Sequence, residues 1–147
     1  ACCDIVLATD KASFCLSEVK LGLIPAVISP YVVRAIGERQ ARRYFLSAEV
    51  FTATQAQEYG LVHIVCDDVE TMDARCNEML QQLAINGPEA MKAAKDLVFA
   101  VSHKPISADV IDDTAQRIAD IRVGAEGQEG LGAFLNKRKA NWVPEEE

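Results

Sequence analysis

Strand signals are scarce and short in this chain. Only three stretches have the makings of strands, and all lie before Asp67. Ile5–Ala8 is a brief apolar run, followed by a turn at Asp10-Lys11 and a second extended candidate, Ser13-Phe14-Cys15-Leu16. Leu61-Val62-His63-Ile64-Val65 is the strongest, being β-branched and almost continuous. Taken as a hairpin, the two front runs would be marginal in water, because a two-stranded unit buries too little. A chain with these strands and nothing to cover them needs further sequence or a partner. The abrupt opening on Ala1-Cys2-Cys3-Asp4 points the same way, to upstream sequence that is missing here.

The rest of the pattern is helical. Pro30 suits a first helical turn, where its missing N–H costs nothing, and Val32, Val33 and Ile36 follow at helical spacing up to a stop at Gly37. From Glu38 to Ser47, Ala41, Tyr44 and Phe45 form an apolar stripe, with Arg39, Arg42 and Arg43 on the wet face. Thr52 and Gln55 have capping-box spacing ahead of a short helix that ends at Gly60.

After Asp67 and Asp68, residues Val69, Met72, Cys76, Met79, Leu80 and Leu83 recur at intervals of three and four. Gly87-Pro88 breaks this helix and opens another with Ala90, Ala94, Leu97, Val98 and Val101 on its face. Lys104-Pro105 ends that one, and Ser107 caps a third carrying Val110, Ile111, Thr114, Ile118 and Ile121. A last short helix follows Gly124 with Leu131, Phe134 and Leu135, and the tail from Val143 to Glu147 is expected to fray.

Composition narrows the function. Half of the 147 residues are apolar and a quarter charged, a globular balance with enough apolar content for a core. The net charge of −7 argues against nucleic acid as the partner, since phosphate binding needs clustered cations. Five irregularly spaced cysteines and two histidines argue against zinc or a disulfide framework; free thiols fit a reducing compartment. No apolar run approaches the ~20 residues that span a bilayer, so no membrane partner is expected.

Two constellations carry chemistry. In Ser17-Glu18-Val19-Lys20-Leu21-Gly22-Leu23-Ile24-Pro25, a carboxylate stands at the end of an apolar strand and enters an apolar Gly-Pro loop. Such surroundings desolvate a carboxylate and favour its neutral form, which suits proton transfer. By pattern alone, a glutamate at a strand end is more often a surface residue. Near the C-terminus, Phe134 with Lys137, Arg138 and Lys139 sets a ring beside cations, a combination able to stack a base and neutralise phosphates. The bland alternative is a terminal helix with Phe134 in the core and a solvated basic face. His63 reads as structural, His103 has no visible partner, and Ser29 lacks a nucleophile-elbow context.

These motifs, in this order, resemble the enoyl-CoA hydratase/isomerase (crotonase) family. The matching residues are Ala1, Cys3-Asp4-Ile5 and Ala8, then Glu18, Leu21, Gly22 and Pro25. Next come Ala35-Ile36-Gly37 to Ala48, then Ala53, Ala56, Gly60, Leu61, Val62 and Val65. The ending, Gly130 to Trp142, matches as well. The resemblance implies an α/β fold: residues 1–66 as the C-terminal part of the crotonase spiral βα core, and 67–147 as a helical region for trimerisation and for covering CoA.

It further implies a hydratase adding water reversibly to a trans-2-enoyl-CoA. Glu18 would be its acid/base, Pro25, Ala26 and Val27 would line the acyl pocket, and Phe134 and Lys137 would reach the CoA. Metal or redox cofactors are not called for; the CoA thioester is the substrate. The implied assembly is a homotrimer or dimer of trimers, in the cytoplasm or, in a eukaryote, the mitochondrial matrix. In the family two backbone N–H groups polarise the thioester carbonyl, and they fall ahead of Ala1, so little activity is expected of this chain by itself. Ala26-Val27-Ile28-Ser29 replaces a Gly-rich turn and resembles a bacterial subset acting on branched or carboxylated acyl-CoAs such as methylglutaconyl-CoA. An isomerase or decarboxylase of the same fold, and a non-catalytic assembly module, stand as alternatives.

Overall fold

The computed structural model describes residues 1–144; of the tail expected to fray, residues 145–147 lie outside the described residues. By its internal contacts the chain divides into two compact units, Ala1–Glu78 and Met79–Glu147. The division falls within the helix Val69–Ala84.

In the first unit the two front strands do not pair with each other. Strand β1 (Leu7–Thr9) runs parallel to β4 (Ile64–Cys66), with Leu7 opposite Ile64, Ala8 opposite Val65 and Thr9 opposite Cys66. Strand β2 (Ser13–Phe14) runs antiparallel to β3 (Phe51–Thr52), with Phe14 opposite Phe51. The expected hairpin is therefore replaced by two long-range pairings, and β3 had no strand signal of its own. The expected strand at 61–65 also starts later. The amides of Leu61 and Val62 bond Ala56 O at 2.9 and 3.1 Å. They close the preceding helix and are unavailable to a ladder.

Helix α1 spans Ser29–Ser47 but is broken at Gly37 (φ 77°, ψ 157°), the expected stop. Pro30 sits in its first turn. Its arginine face is wet and partly paired: Arg43 Nε donates to Glu49 at 2.6 Å, and Arg42 lies 3.5 Å from Glu38. Helix α2 (Ala53–Glu58) has the expected capping box, with Gln55 N–H donating to Thr52 Oγ1 and Thr52 N–H to Gln55 Oε1.

The core lies where α1 and α2 meet the strands: Ala8, Leu16, Ile36, Ala41, Tyr44, Phe51, Ala53, Ala56 and Val62. The alanines let backbones approach, and an aromatic group fills the rest. Tyr44 lies 4.5 Å from Phe51 between ring centroids, and its hydroxyl shares a 3.0 Å hydrogen bond with that of Tyr59. Burial, with that bond second, pushes the Tyr44 hydroxyl up to about 12. His63 is structural here: its Nδ1 accepts the Val6 N–H at 3.1 Å.

The helical part comprises α3 (Val69–Ala84), α4 (Pro88–Val101), α5 (Ala108–Val123) and α6 (Ala125–Leu135). The breaks expected at Gly87-Pro88, Lys104-Pro105 and Gly124 are where these helices end or begin. Ser107 caps α5, accepting from Val110 N at 3.5 Å. Glu126 caps α4 from across the second unit, accepting from Glu89 N and Ala90 N at 2.9 and 2.8 Å.

No described residue of α3, α4 or α5 is fully buried. Ala90, Ala94 and Leu97 face Thr114, Ile118 and Ile121 across an apolar groove of about 430 Å³. Val98, expected on that inward face, is exposed, as is Phe99 beside it.

Candidate active site

Glu18 does not end a strand. It opens a short 3₁₀ turn, Glu18–Leu21, which packs against α1. Lys20 N–H bonds Ser17 O at 3.0 Å, Gly22 N–H bonds Val19 O at 3.1 Å, and Leu23 N–H bonds Glu18 O at 3.1 Å. The turn closes because Gly22 takes the left-handed conformation (φ 71°, ψ 20°), which costs a glycine almost nothing.

The Glu18 side chain is half-buried, and its Oε2 is shielded from solvent with no hydrogen-bond partner. Among the described residues it is the only buried side-chain oxygen or nitrogen in that condition. Native structures rarely leave such a group unmatched, because desolvating it without a partner costs about 1–3 kcal/mol. The turn thus presents an acceptor that the chain itself does not use.

The loop beyond it divides the residues expected to line an acyl pocket. Pro25 is buried, whereas Ala26 is exposed and Val27 is 86% exposed. Leu21, Leu23 and Ile24 are also exposed, so the segment following Glu18 displays an apolar ridge. Ser29 spends its hydroxyl on Ala26 O at 2.9 Å, which leaves it a loop-closing part. A cavity of about 520 Å³ in this unit is lined by Phe14, Leu16, Ile28, Tyr31, Val32 and Phe51 among others; neither Glu18 nor Pro25–Val27 lines it. Among the described residues no group of three or more histidines, cysteines and carboxylates is placed to hold a metal ion.

The other expected residues lie in the second unit. Phe134 is 81% exposed near the end of α6, so the reading that buried it in a core is wrong. Lys137 follows the helix end with φ 52°, and its N–H bonds Phe134 O at 3.2 Å. Phe134 borders a cavity of about 900 Å³ with Ile85, Ala133, Arg138, Lys139 and Trp142.

Arg138, read from sequence as a cation available for phosphate, is instead committed to Glu129. Its Nη1 and Nη2 donate to the two carboxylate oxygens at 2.6 and 2.7 Å. Asn141 N–H adds a third bond to Glu129 at 2.9 Å. Arg138 first, then that amide, holds the Glu129 carboxyl down at about 2. Nothing in the sequence pattern singled out Glu129, whose partners lie nine and twelve residues away.

The model for the enoyl-CoA hydratase/isomerase family matches residues 1–145 of this chain. The chain belongs to that family. It is 34% identical over 139 residues to the enoyl-CoA hydratase AKT6-1 of Alternaria alternata, covering 93% of this chain and 46% of the relative. It is 31% identical to the 2,3-dehydroadipyl-CoA hydratase of Escherichia coli, covering 92% and 53%. Among solved structures it superposes on an enoyl-CoA hydratase from Shewanella pealeana with a TM-score of 0.90 at 50% identity, covering 96% of this chain and 52% of that one. This family member therefore spans about half the length of the relatives it matches. Its fold is the C-terminal part of the crotonase fold, as the motifs implied.

Proposed function

We propose that this chain forms part of an acyl-CoA hydratase that adds water reversibly to a trans-2-enoyl-CoA, with Glu18 as the acid/base. The supporting observation is the shielded, unpartnered Oε2 of Glu18, on a 3₁₀ turn at the foot of an apolar loop. A protonated carboxyl so placed can hand its proton to the acyl α-carbon as the oxygen of water bonds the β-carbon. The proton released by that water returns to the carboxylate so formed, and the steps run backwards in dehydration. Pro25, Ala26 and Val27 would flank the acyl chain, and Phe134 and Lys137 would meet the CoA. The backbone N–H pair that polarises the thioester carbonyl would come from residues outside this chain, so the chain alone should turn over slowly. The CoA thioester is the substrate in this reading, and the reaction requires neither a metal nor a redox cofactor.

Hydratase is preferred because the relatives named above are hydratases acting on CoA esters. The acyl group would be branched or carboxylated, given Val27 and Ile28 in the loop. Assembly as a trimer or dimer of trimers is proposed from the wet apolar side chains of α4 and α5, Val98, Phe99, Ile111 and Ile118. No helix among the described residues is long and apolar enough to cross a membrane. The proposed compartment is the cytoplasm, or the mitochondrial matrix in a eukaryote.

Glu18→Gln in the complete subunit tests the mechanism. Turnover of crotonyl-CoA should fall by several orders of magnitude with the fold intact, and near-normal turnover would remove Glu18 from the chemistry. A 3-enoyl-CoA turned over in place of crotonyl-CoA would move the assignment to an isomerase.

A further inference from the structure

The end of α6 doubles back on itself. Asn136 N–H bonds Gly132 O at 3.0 Å and Arg138 N–H bonds Ala133 O at 3.0 Å, with Lys137 between them in the left-handed region. With the Lys137 N–H bond to Phe134 O at 3.2 Å these are the bonds of a left-handed helix cap, which a lysine adopts at some conformational cost. Glu129 holds the segment beyond this cap, its carboxylate gathering Arg138 through two bonds and Asn141 through a third.

The returning segment ends with Trp142 laid on Gly130, so close that a Cβ at Gly130 would stand 3.1 Å from its Cη2. The indole N–H donates to Ile85 O at 3.2 Å. Glu129 does not itself line the cavity beside Phe134, but Arg138 and Trp142, which its bonds place there, do.

We propose that Glu129 is a positioning residue: by clasping Arg138 and Asn141 it holds Lys137 at the apex of this hook beside Phe134, so that cation and ring meet the nucleotide end of CoA together. The inference rests on the CoA reading of Phe134 and Lys137 given above. A neutral amide at position 129 cannot take the paired Arg138 bonds in that form. The segment after the cap would then be held less firmly, and Lys137 would no longer be fixed beside Phe134. A clasp that only stabilised the fold would change melting and leave the coupling between residues 129 and 137 at zero.

The test is isothermal titration of CoA into the complete subunit and its variants. Phe134→Ala and Lys137→Gly probe the CoA reading, glycine keeping the hook because it accepts the backbone conformation. Glu129→Gln should weaken CoA binding about tenfold, and Glu129→Gln with Lys137→Gly should bind no more weakly than Lys137→Gly alone. Arg138→Lys keeps the charge and loses the fork; the same loss is expected, which covers the case of a misfolded Glu129→Gln.

Absence of CoA binding in the wild type, or binding untouched by Phe134→Ala and Lys137→Gly, overturns the CoA reading and this inference with it. Binding that those two variants weaken, but that clasp variants leave unchanged or weaken additively with Lys137→Gly, overturns the inference alone.

Discussion

The backbone N–H of Leu23 bonds the carbonyl oxygen of Glu18 at 3.1 Å, so the apolar loop is tied to the turn that carries the proposed acid/base. Gly22, in the left-handed region, is the residue that makes the closure possible.

Gly22→Ala should cost about 1 kcal/mol of stability, because a Cβ in the left-handed region is strained. Nothing lies within 4 Å of the position a Cβ would occupy, so the cost is conformational and not steric. Gly22→Asn should recover part of it, since asparagine tolerates this region. Urea unfolding of the three proteins checks the order Gly, Asn, Ala.

Replacing Glu18 by methionine should stabilise the first unit by about 1 kcal/mol, since a shielded carboxylate oxygen without a partner gives way to an apolar group of similar length. Turnover in the complete subunit should be lost at the same time. A denaturation midpoint that falls on this substitution would mean that the carboxylate contributes to the fold, which the geometry does not suggest.

Tyr59→Phe should destabilise by about 1–3 kcal/mol by leaving the buried Tyr44 hydroxyl unmatched. Changing both tyrosines to phenylalanine should cost less than that single change. The Tyr44 hydroxyl is raised from its usual 10 to about 12, mainly by burial. Its contribution is therefore complete below pH 10 and is lost as pH rises towards 12. Alkaline unfolding followed by tyrosinate absorbance should show one tyrosine ionising late, together with loss of structure.

Glu129 behaves in the opposite sense. Its carboxyl is lowered from 4.5 to about 2 by Arg138 and the Asn141 amide. The clasp's contribution should be complete above about pH 4.5 and disappear as pH falls towards 2. Trp142 is the chain's one tryptophan, so acrylamide quenching of its fluorescence should increase across that window. In Glu129→Gln the quenching should already be high at pH 7 and show no such step.

Much of the local structure was legible in the residues. Thr52 and Gln55 announced their capping box because both partners lie within one helical turn. Gly87-Pro88, Ser107 and Gly124 likewise mark helix boundaries that depend on near neighbours. Glu18 is expected at a strand end, and the structure places it instead at the start of a 3₁₀ turn, because Gly22 closes the chain on itself there. The pairing of β1 with β4 was not legible. Residues 7–9 meet 64–66, and nothing within either short run specifies so distant a partner. Strand β3, two residues long, pairs with β2 across the chain, where Phe51 stacks on Phe14 at 5.4 Å.

The sequence alone determined the positions of the helix breaks and caps, the candidate carboxylate and the family to which its motifs belong, because each depends on residues a turn or so apart or on a fixed order of motifs. Tertiary structure alone decided which strands pair, that Arg138 is held by Glu129 and not left for a ligand, and that one oxygen of Glu18 has no partner. Those outcomes depend on which distant groups are brought within about 3 Å of one another, and hydrogen bonding at that range is not encoded in local periodicity.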